Sequence, residues 1–263
     1  MAEQLYGAKV HLGQQLAYSE QYDPALLQPI ARAACRQHLP AQNFIGVDIW
    51  TAYEISWLDA MGKPRVAMLE FKFPADSSHL IESKSFKYYL NSFNQTRVGS
   101  QLALFEILVK DLSAAAGTAV QVSNFSAATV QALPGQIELD GLPLVEPAYT
   151  RTLALLQVGE QNVDEVFHSD LLKTNCPVTG QPDWASIWIG YKGLQIDPSS
   201  LLAYLVSYRQ QQDFHENCVE QIYSDIWQQG KPTRLWVYAR YTRRGGLDIN
   251  PCRASEPMDV PAL

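Results

Sequence analysis

The chain has 263 residues and a mass of 29.5 kDa, enough to bury one large or two small cores, with 47% hydrophobic and 18% charged residues. A net charge of −7 and a pI near 5.2 exclude a general phosphate-neutralising surface, so any link to RNA is expected to be indirect rather than through direct nucleic-acid binding. No apolar run approaches the ~20 residues of a bilayer span, the first residues lack a charged-then-apolar leader, and Cys35, Cys176, Cys218 and Cys252 form no C-x-x-C pair; these set the expectation of a cytoplasmic chain with free thiols, no membrane, no disulfide framework and no metal site.

From Pro24 to Leu39 the chain reads as a helix, because Leu26, Leu27, Ile30, Ala31, Ala34 and Cys35 fall on one face. Ile45 to Trp57 alternates apolar and polar residues, interrupted only by Trp50, and predicts a strand. Met61-Gly62-Lys63-Pro64 reads as a turn, with Val66 to Phe73 the returning strand. A helix is predicted to open at Glu82 and Ser83, where Phe86, Tyr89, Leu90 and Phe93 form an apolar stripe, and helical spacing continues through Leu104, Phe105 and Leu108 to about Leu112. Thr118 to Ser123 closes this half as a strand.

Pro134, Gly135, Gly141, Pro143 and Pro147 mark a linker, which divides the chain into domains at 1–130 and 149–263 with residues 131–148 between. The second half reads Thr150 to Val158 strand, Ala185 to Lys192 strand, Pro198 to Gln211 helix, Phe214 to Gln229 helix and Thr233 to Arg244 strand. Both halves therefore run strand, strand, helix, helix, strand. That order predicts an α+β fold of antiparallel sheets with helices grouped on one face.

Four segments carry residues suited to chemistry. In Glu82-Ser83-Lys84-Ser85-Phe86-Lys87-Tyr88, Lys84 and Lys87 share a helix face near free N–H groups, an arrangement suited to a phosphate, while Glu82 can accept paired N–H donors; a solvated amphipathic helix is the alternative. The loop from Lys173 to Trp184 contains Pro177, Gly180 and Pro182, which favour folding Asp183 back toward Cys176, a nucleophile beside a proton carrier; a packed cysteine and a turn-capping aspartate remain open. His215-Glu216 begins a predicted helix, and with Val219 in place of a second histidine it is no zinc motif. Arg243-Arg244-Gly245-Gly246 offers phosphate contact with close backbone approach, or simply solvated charge, and no G-x-G-x-x-G follows a strand.

Residues 82–88 resemble the signature Glu-(Ser/Phe)-Lys-(Ser/Leu)-apolar-Lys-aromatic of the NADPH-dependent 7-cyano-7-deazaguanine reductases, the nitrile reductases of the queuosine pathway. The same family carries a cysteine and an aspartate seven positions apart and a later His-Glu pair, matched here by Cys176, Asp183, His215 and Glu216. The resemblance spans nearly the whole chain and its longer, two-repeat form. It implies two tandem tunnelling-fold repeats that associate as a homodimer or higher homo-oligomer, and two NADPH per turnover with no metal. It further implies a 7-deazaguanine substrate held by Ile81, Glu82, Ser83, His215 and Glu216, a cofactor held by Ser83, Lys84, Lys87, Arg244 and Gly245, and a thioimide on Cys176 protonated by Asp183. Two other classes stay in view: a cysteine hydrolase or amidohydrolase using Cys176 with His215 as base, and a non-catalytic purine- or pterin-binding module.

Overall fold

The structure, a computed structural model, describes residues 19–40, 44–127, 132–144 and 147–261. Two compact units emerge from the packing: one holds residues up to Gln37, Asp48–Ser126 and Arg243–Ile249, the other His38–Val47, Ala127–Thr242 and Asn250 onward.

In the first unit the expected Pro24 helix does not form. The stretch is a 3-10 turn at Pro24–Leu26, a short strand β1 (Pro29–Ala31) and one helical turn α1 (Arg32–Cys35). Pro29 has no N–H to give a helix interior, so the apolar spacing serves instead to bury Leu27 and Ile30. The hairpin β2 (Ile45–Leu58) and β3 (Pro64–Pro74) follows as expected. Its turn is closed by Asp59, whose Oδ1 accepts from the N–H groups of Met61 and Lys63 at 3.0 Å. Strand β4 (His79–Ile81) pairs antiparallel with β1 and delivers the chain to α2 (Ser83–Asn91). The helical spacing to Leu112 belongs to a separate helix, α3 (Gln101–Ala116), because Ser100 restarts the chain as an N-cap, accepting from Ala103 N at 3.1 Å. That helix ends on Gly117 in the left-handed region at φ 73°. Strand β5 (Gln121–Asn124) lies antiparallel to β3. Phe86, Tyr89, Phe93, Leu104, Leu108 and Leu112 of the two helices pack against Trp50, Leu69, Phe71 and Phe73 of the sheet.

The second unit opens with β6 (Ile137–Glu138), a short strand inside the expected linker that runs parallel to β7 (Val158–Asn175). Thr150–Val158 is not a strand: Leu153–Leu155 forms a 3-10 turn and β7 begins only at Val158. Strand β8 (Pro182–Ile196) pairs along β7, helix α4 (Pro198–Val206) runs on through a 3-10 turn to Gln210, and α5 (His215–Gly230) precedes β9 (Arg234–Tyr241). A further strand, β10 (Leu247–Ala254), has no counterpart in the sequence reading, and its residues Asn250–Ala254 lie beside β9 in the sheet order β10-β9-β8-β7-β6. Odd-numbered residues Ala185, Ile187, Ile189, Leu235, Val237 and Ala239 face Leu201, Leu205, Val219, Ile222 and Ile226 of the two helices, while Trp188 and Tyr238 stack on the opposite face. The result is α+β with the helices on one face of a sheet whose strand pairs are antiparallel except for β6–β7.

Beneath α5, Arg253 donates to Glu220 Oε1 from Nε at 3.0 Å and Nη2 at 2.8 Å, and both side chains are wholly buried. Glu220→Ala strands the guanidinium without its counter-charge, so urea denaturation should show a loss of about 3–5 kcal/mol. A loss below about 1 kcal/mol would mean that the pair is dispensable.

Candidate active site

The β7–β8 ladder runs as far as Asn175 opposite Pro182, so the expected loop from 173 to 184 shrinks to a turn of residues 176–181. Cys176 N donates to Gln181 O at 2.9 Å and Gly180 N to Cys176 O at 3.0 Å, with Gly180 at φ 67° closing the turn. Cys176 is thereby the first residue off the ladder and half-buried. Cys35, Cys218 and Cys252 are all buried, so Cys176 is the one thiol a ligand can reach. Asp183 lies one rung inside, opposite Thr174, and is 2% exposed. Trp184, next in the strand, points to the other face, where Arg209 covers its ring at 5.4 Å. Trp188 belongs to the sheet stack with His168 and Tyr238.

Helix α5 brings His215 and Glu216 in at its first turn. His215 Nε2 stands 3.4 Å from Asp183 Oδ2, and its ring lies flat on Tyr241 with centroids 3.7 Å apart and planes within 5°. His215 Nδ1 is buried with no hydrogen-bond partner in the protein. Glu216 is 3% exposed, so its carboxylate sits in a water-poor setting where a paired hydrogen bond is strong. Burial pushes the Cys218 thiol and the Tyr241 hydroxyl well above their ordinary values, which leaves both neutral and unreactive beneath Asp183. Burial also lowers the Lys173 ammonium, assisted by the Arg209 charge and opposed by Asp183. Its Nζ is held by Asn175 Oδ1 at 2.6 Å and Arg209 O at 2.7 Å. Cys176, Asp183, His215 and Glu216 thus belong to one unit, assembled from the β7–β8 hairpin and the start of α5.

The remaining predicted residues belong to the first unit. Ile81 is buried at the end of β4, and Glu82 caps α2, its Oε1 accepting from Lys84 N at 3.0 Å and its Oε2 from Ser85 N at 2.6 Å. Two of the helix-start N–H groups expected to be open to a phosphate, those of Lys84 and Ser85, are therefore taken by Glu82 itself. Burial raises the Glu82 carboxyl, and the two backbone N–H groups work against that rise. Ser83 and Lys84 are exposed, with the Lys84 ammonium 5.7 Å from the Tyr88 ring centroid. Lys87 Nζ pairs with Glu54 Oε2 at 2.5 Å, and that hydrogen bond holds the Glu54 carboxyl below the usual carboxylate range.

Arg243 lies over the Tyr53 ring at 5.0 Å, while Arg244 N donates to Leu247 O at 2.8 Å across a turn made by Gly245 at φ 59° and Gly246 at φ 81°. A Cβ on Gly246 would fall 2.6 Å from the Glu54 carboxyl and 2.9 Å from Lys87 Nζ, whereas one on Gly245 would meet open space. The lysine of the signature and the two-glycine turn are thereby neighbours, although 158 to 159 positions separate Lys87 from Gly245 and Gly246. Glu54 and Tyr241 were not singled out in the sequence; their only signal was a place in a regular strand. Among the described residues, no three of His, Cys, Asp and Glu gather in a way that could hold a metal ion. Among the described residues, too, no helix is long and apolar enough to cross a membrane.

Comparison with known proteins adds independent findings. The family described as "Nitrile reductase, 7-cyano-7-deazaguanine-reductase N-term" matches residues 18–124, and "QueF-like protein" matches residues 182–259. The "NADPH-dependent 7-cyano-7-deazaguanine reductase" of Saccharophagus degradans is 53% identical over 254 residues, covering 94% of this chain and 95% of that protein. Proteins of the same name from Bordetella pertussis and Chromohalobacter salexigens are 52% identical over 260 residues and 53% over 252. The first comparison covers 95% of both chains, the second 93% of this chain and 91% of that protein.

Proposed function

We infer, since the chain belongs to the family of NADPH-dependent 7-cyano-7-deazaguanine reductases, that it reduces the nitrile of 7-cyano-7-deazaguanine to the aminomethyl group as a step toward queuosine in tRNA. The observation that carries the mechanism is the one reachable thiol, Cys176, at the rim of a turn whose inner rung is the buried Asp183 with His215 Nε2 beside it. A nitrile carbon is a weak electrophile. Cys176 Sγ gives its proton to the Asp183 carboxylate and adds to that carbon as thiolate, the C≡N bond loses one π pair to nitrogen, and Asp183 delivers the same proton there, giving a thioimide. When bound, two NADPH in turn supply the two hydrides that carry this carbon to the amine. Between the two reductions Cys176 leaves as the thiol, returning the enzyme to its starting state. His215 holds the Asp183 carboxyl in place, and Glu216 accepts the N–H groups of the aminopyrimidine edge.

Ile81, Glu82 and Ser83 carry the substrate contacts that the family resemblance implies. Lys87 lies beside the Gly245–Gly246 turn, and with Ser83, Lys84 and Arg244 it suits a nicotinamide dinucleotide phosphate: cationic side chains and backbone open to close approach, in a chain otherwise acidic. Lys87→Ala should raise the KM for NADPH about tenfold and blunt the preference over NADH, as expected for one lost phosphate contact. Equal effects on the two nucleotides would remove Lys87 from the 2′-phosphate. The functional form is a cytoplasmic homodimer or higher homo-oligomer that acts on the free base and not on nucleic acid. The test of the whole reading is NADPH consumption on adding the nitrile, with the amine quantified: two NADPH oxidised per amine is expected, and no oxidation would overturn it.

A further inference from the structure

We propose that Tyr241 is a positioning residue for this reaction, acting through His215; the inference rests on the reductase reading above. The imidazole of His215 is pinned on one side only by Asp183, at 3.4 Å, a separation too long to fix the ring plane by itself. Its Nδ1 has no partner in the protein. What fixes the plane is the phenol of Tyr241, parallel to the imidazole within 5° and 3.7 Å from it. Tyr241 is itself rigid. It is 4% exposed, it lies opposite Ala185 in the β8–β9 ladder, and its N–H donates to Asn250 Oδ1 at 3.0 Å.

Because Ala185 is two residues from Asp183 on the same strand, and side chains two apart share a face, the slab under the imidazole and the carboxylate that the imidazole faces are set by a single stretch of β8–β9 register. Thr242 N, donating to Trp184 O at 2.9 Å, locks that register at its end. The tyrosine hydroxyl lies on the side of Thr174 and Cys218, so it does not reach for the substrate. Its contribution is the flat face, which a phenylalanine also has.

A double-mutant cycle tests this on the full-length protein, with kcat and KM for nitrile and NADPH measured for wild type, Tyr241→Leu, His215→Ala and the combination. Expected is a fall in kcat of about tenfold or more for Tyr241→Leu, as a small misplacement of a catalytic-site group produces. The KM for NADPH should stay within about twofold, and in the His215→Ala background the same replacement should cost less than about threefold, because a residue that acts through another has nothing left to act on. Tyr241→Phe should keep at least about half of the wild-type kcat. Losses that multiply in the double variant, or a Tyr241→Phe enzyme as poor as Tyr241→Leu, would overturn the proposal. Should Tyr241→Leu not fold, Tyr241→Met, unbranched and of similar volume, carries the same cycle. A wild type that leaves NADPH unoxidised would sink the reductase reading and this inference with it, whereas an active wild type with additive losses sinks this inference alone.

Discussion

Cys176→Ala is expected to abolish nitrile reduction, lowering kcat at least about a thousandfold and removing any covalent adduct when the nitrile is added without NADPH. The expectation is steep because the remaining three thiols are all buried. Of these, Cys218 is the one packed near Asp183, and burial holds it protonated, so no second nucleophile stands ready to take over. Intact-protein mass spectrometry separates the readings. The reductase mechanism predicts that wild type gains the full mass of the nitrile, since addition expels nothing, and that Cys176→Ala gains none. A hydrolase would instead accumulate an acyl form or release ammonia without touching NADPH, and a binding module would show no adduct in either protein. A Cys176→Ala variant that oxidises NADPH within about tenfold of wild type would remove covalent catalysis from the mechanism.

How far the sequence reveals this site depends on the distance over which each relation acts. The start of α2 was legible because Glu82 and Ser83 precede an apolar stripe, and the structure begins the helix at Ser83 with Glu82 as its cap. Less visible was that the cap occupies the Lys84 and Ser85 N–H groups otherwise open to an anion, since the sequence does not say which way a glutamate turns. The Pro24 stretch shows the reverse failure. Leu26, Leu27 and Ile30 are spaced for a helix, yet pairing with β4 across some fifty residues decides the structure there, and Pro29 favours that outcome.

Strand β10 was hidden for a different reason: Asp248, Asn250, Pro251 and Arg253 interrupt its apolar pattern, all are buried, and Asp248, Asn250 and Arg253 have partners that no local reading can supply. Pro177, Gly180 and Pro182 predict a loop that folds Asp183 back toward Cys176. The strand ladder places it instead, one rung in from the turn, which is a more rigid arrangement than a loop offers. The approach of His215 to Asp183, 32 positions away, and of Lys87 to the Gly245–Gly246 turn are tertiary facts with no local trace.

The second large effect is expected at Asp183. Replacement by asparagine keeps the shape but leaves a group that cannot shuttle a proton, and kcat should fall about 100- to 10,000-fold, the usual contribution of general acid–base catalysis. The loss should appear already in formation of the Cys176 adduct, because that is the step in which Asp183 is assigned to protonate the nitrogen. Stability should move the other way. A carboxylate 2% exposed is held out of water for the sake of the reaction, so Asp183→Asn, which removes a buried charge while keeping hydrogen-bonding capacity, should leave the thermal midpoint unchanged or raised. That opposition distinguishes chemistry from architecture: if Asp183 were a turn-capping residue, its replacement would lower the midpoint and turnover together. An Asp183→Asn enzyme with a lowered midpoint and turnover within about tenfold of wild type would return Asp183 to that structural role and require another source for the proton.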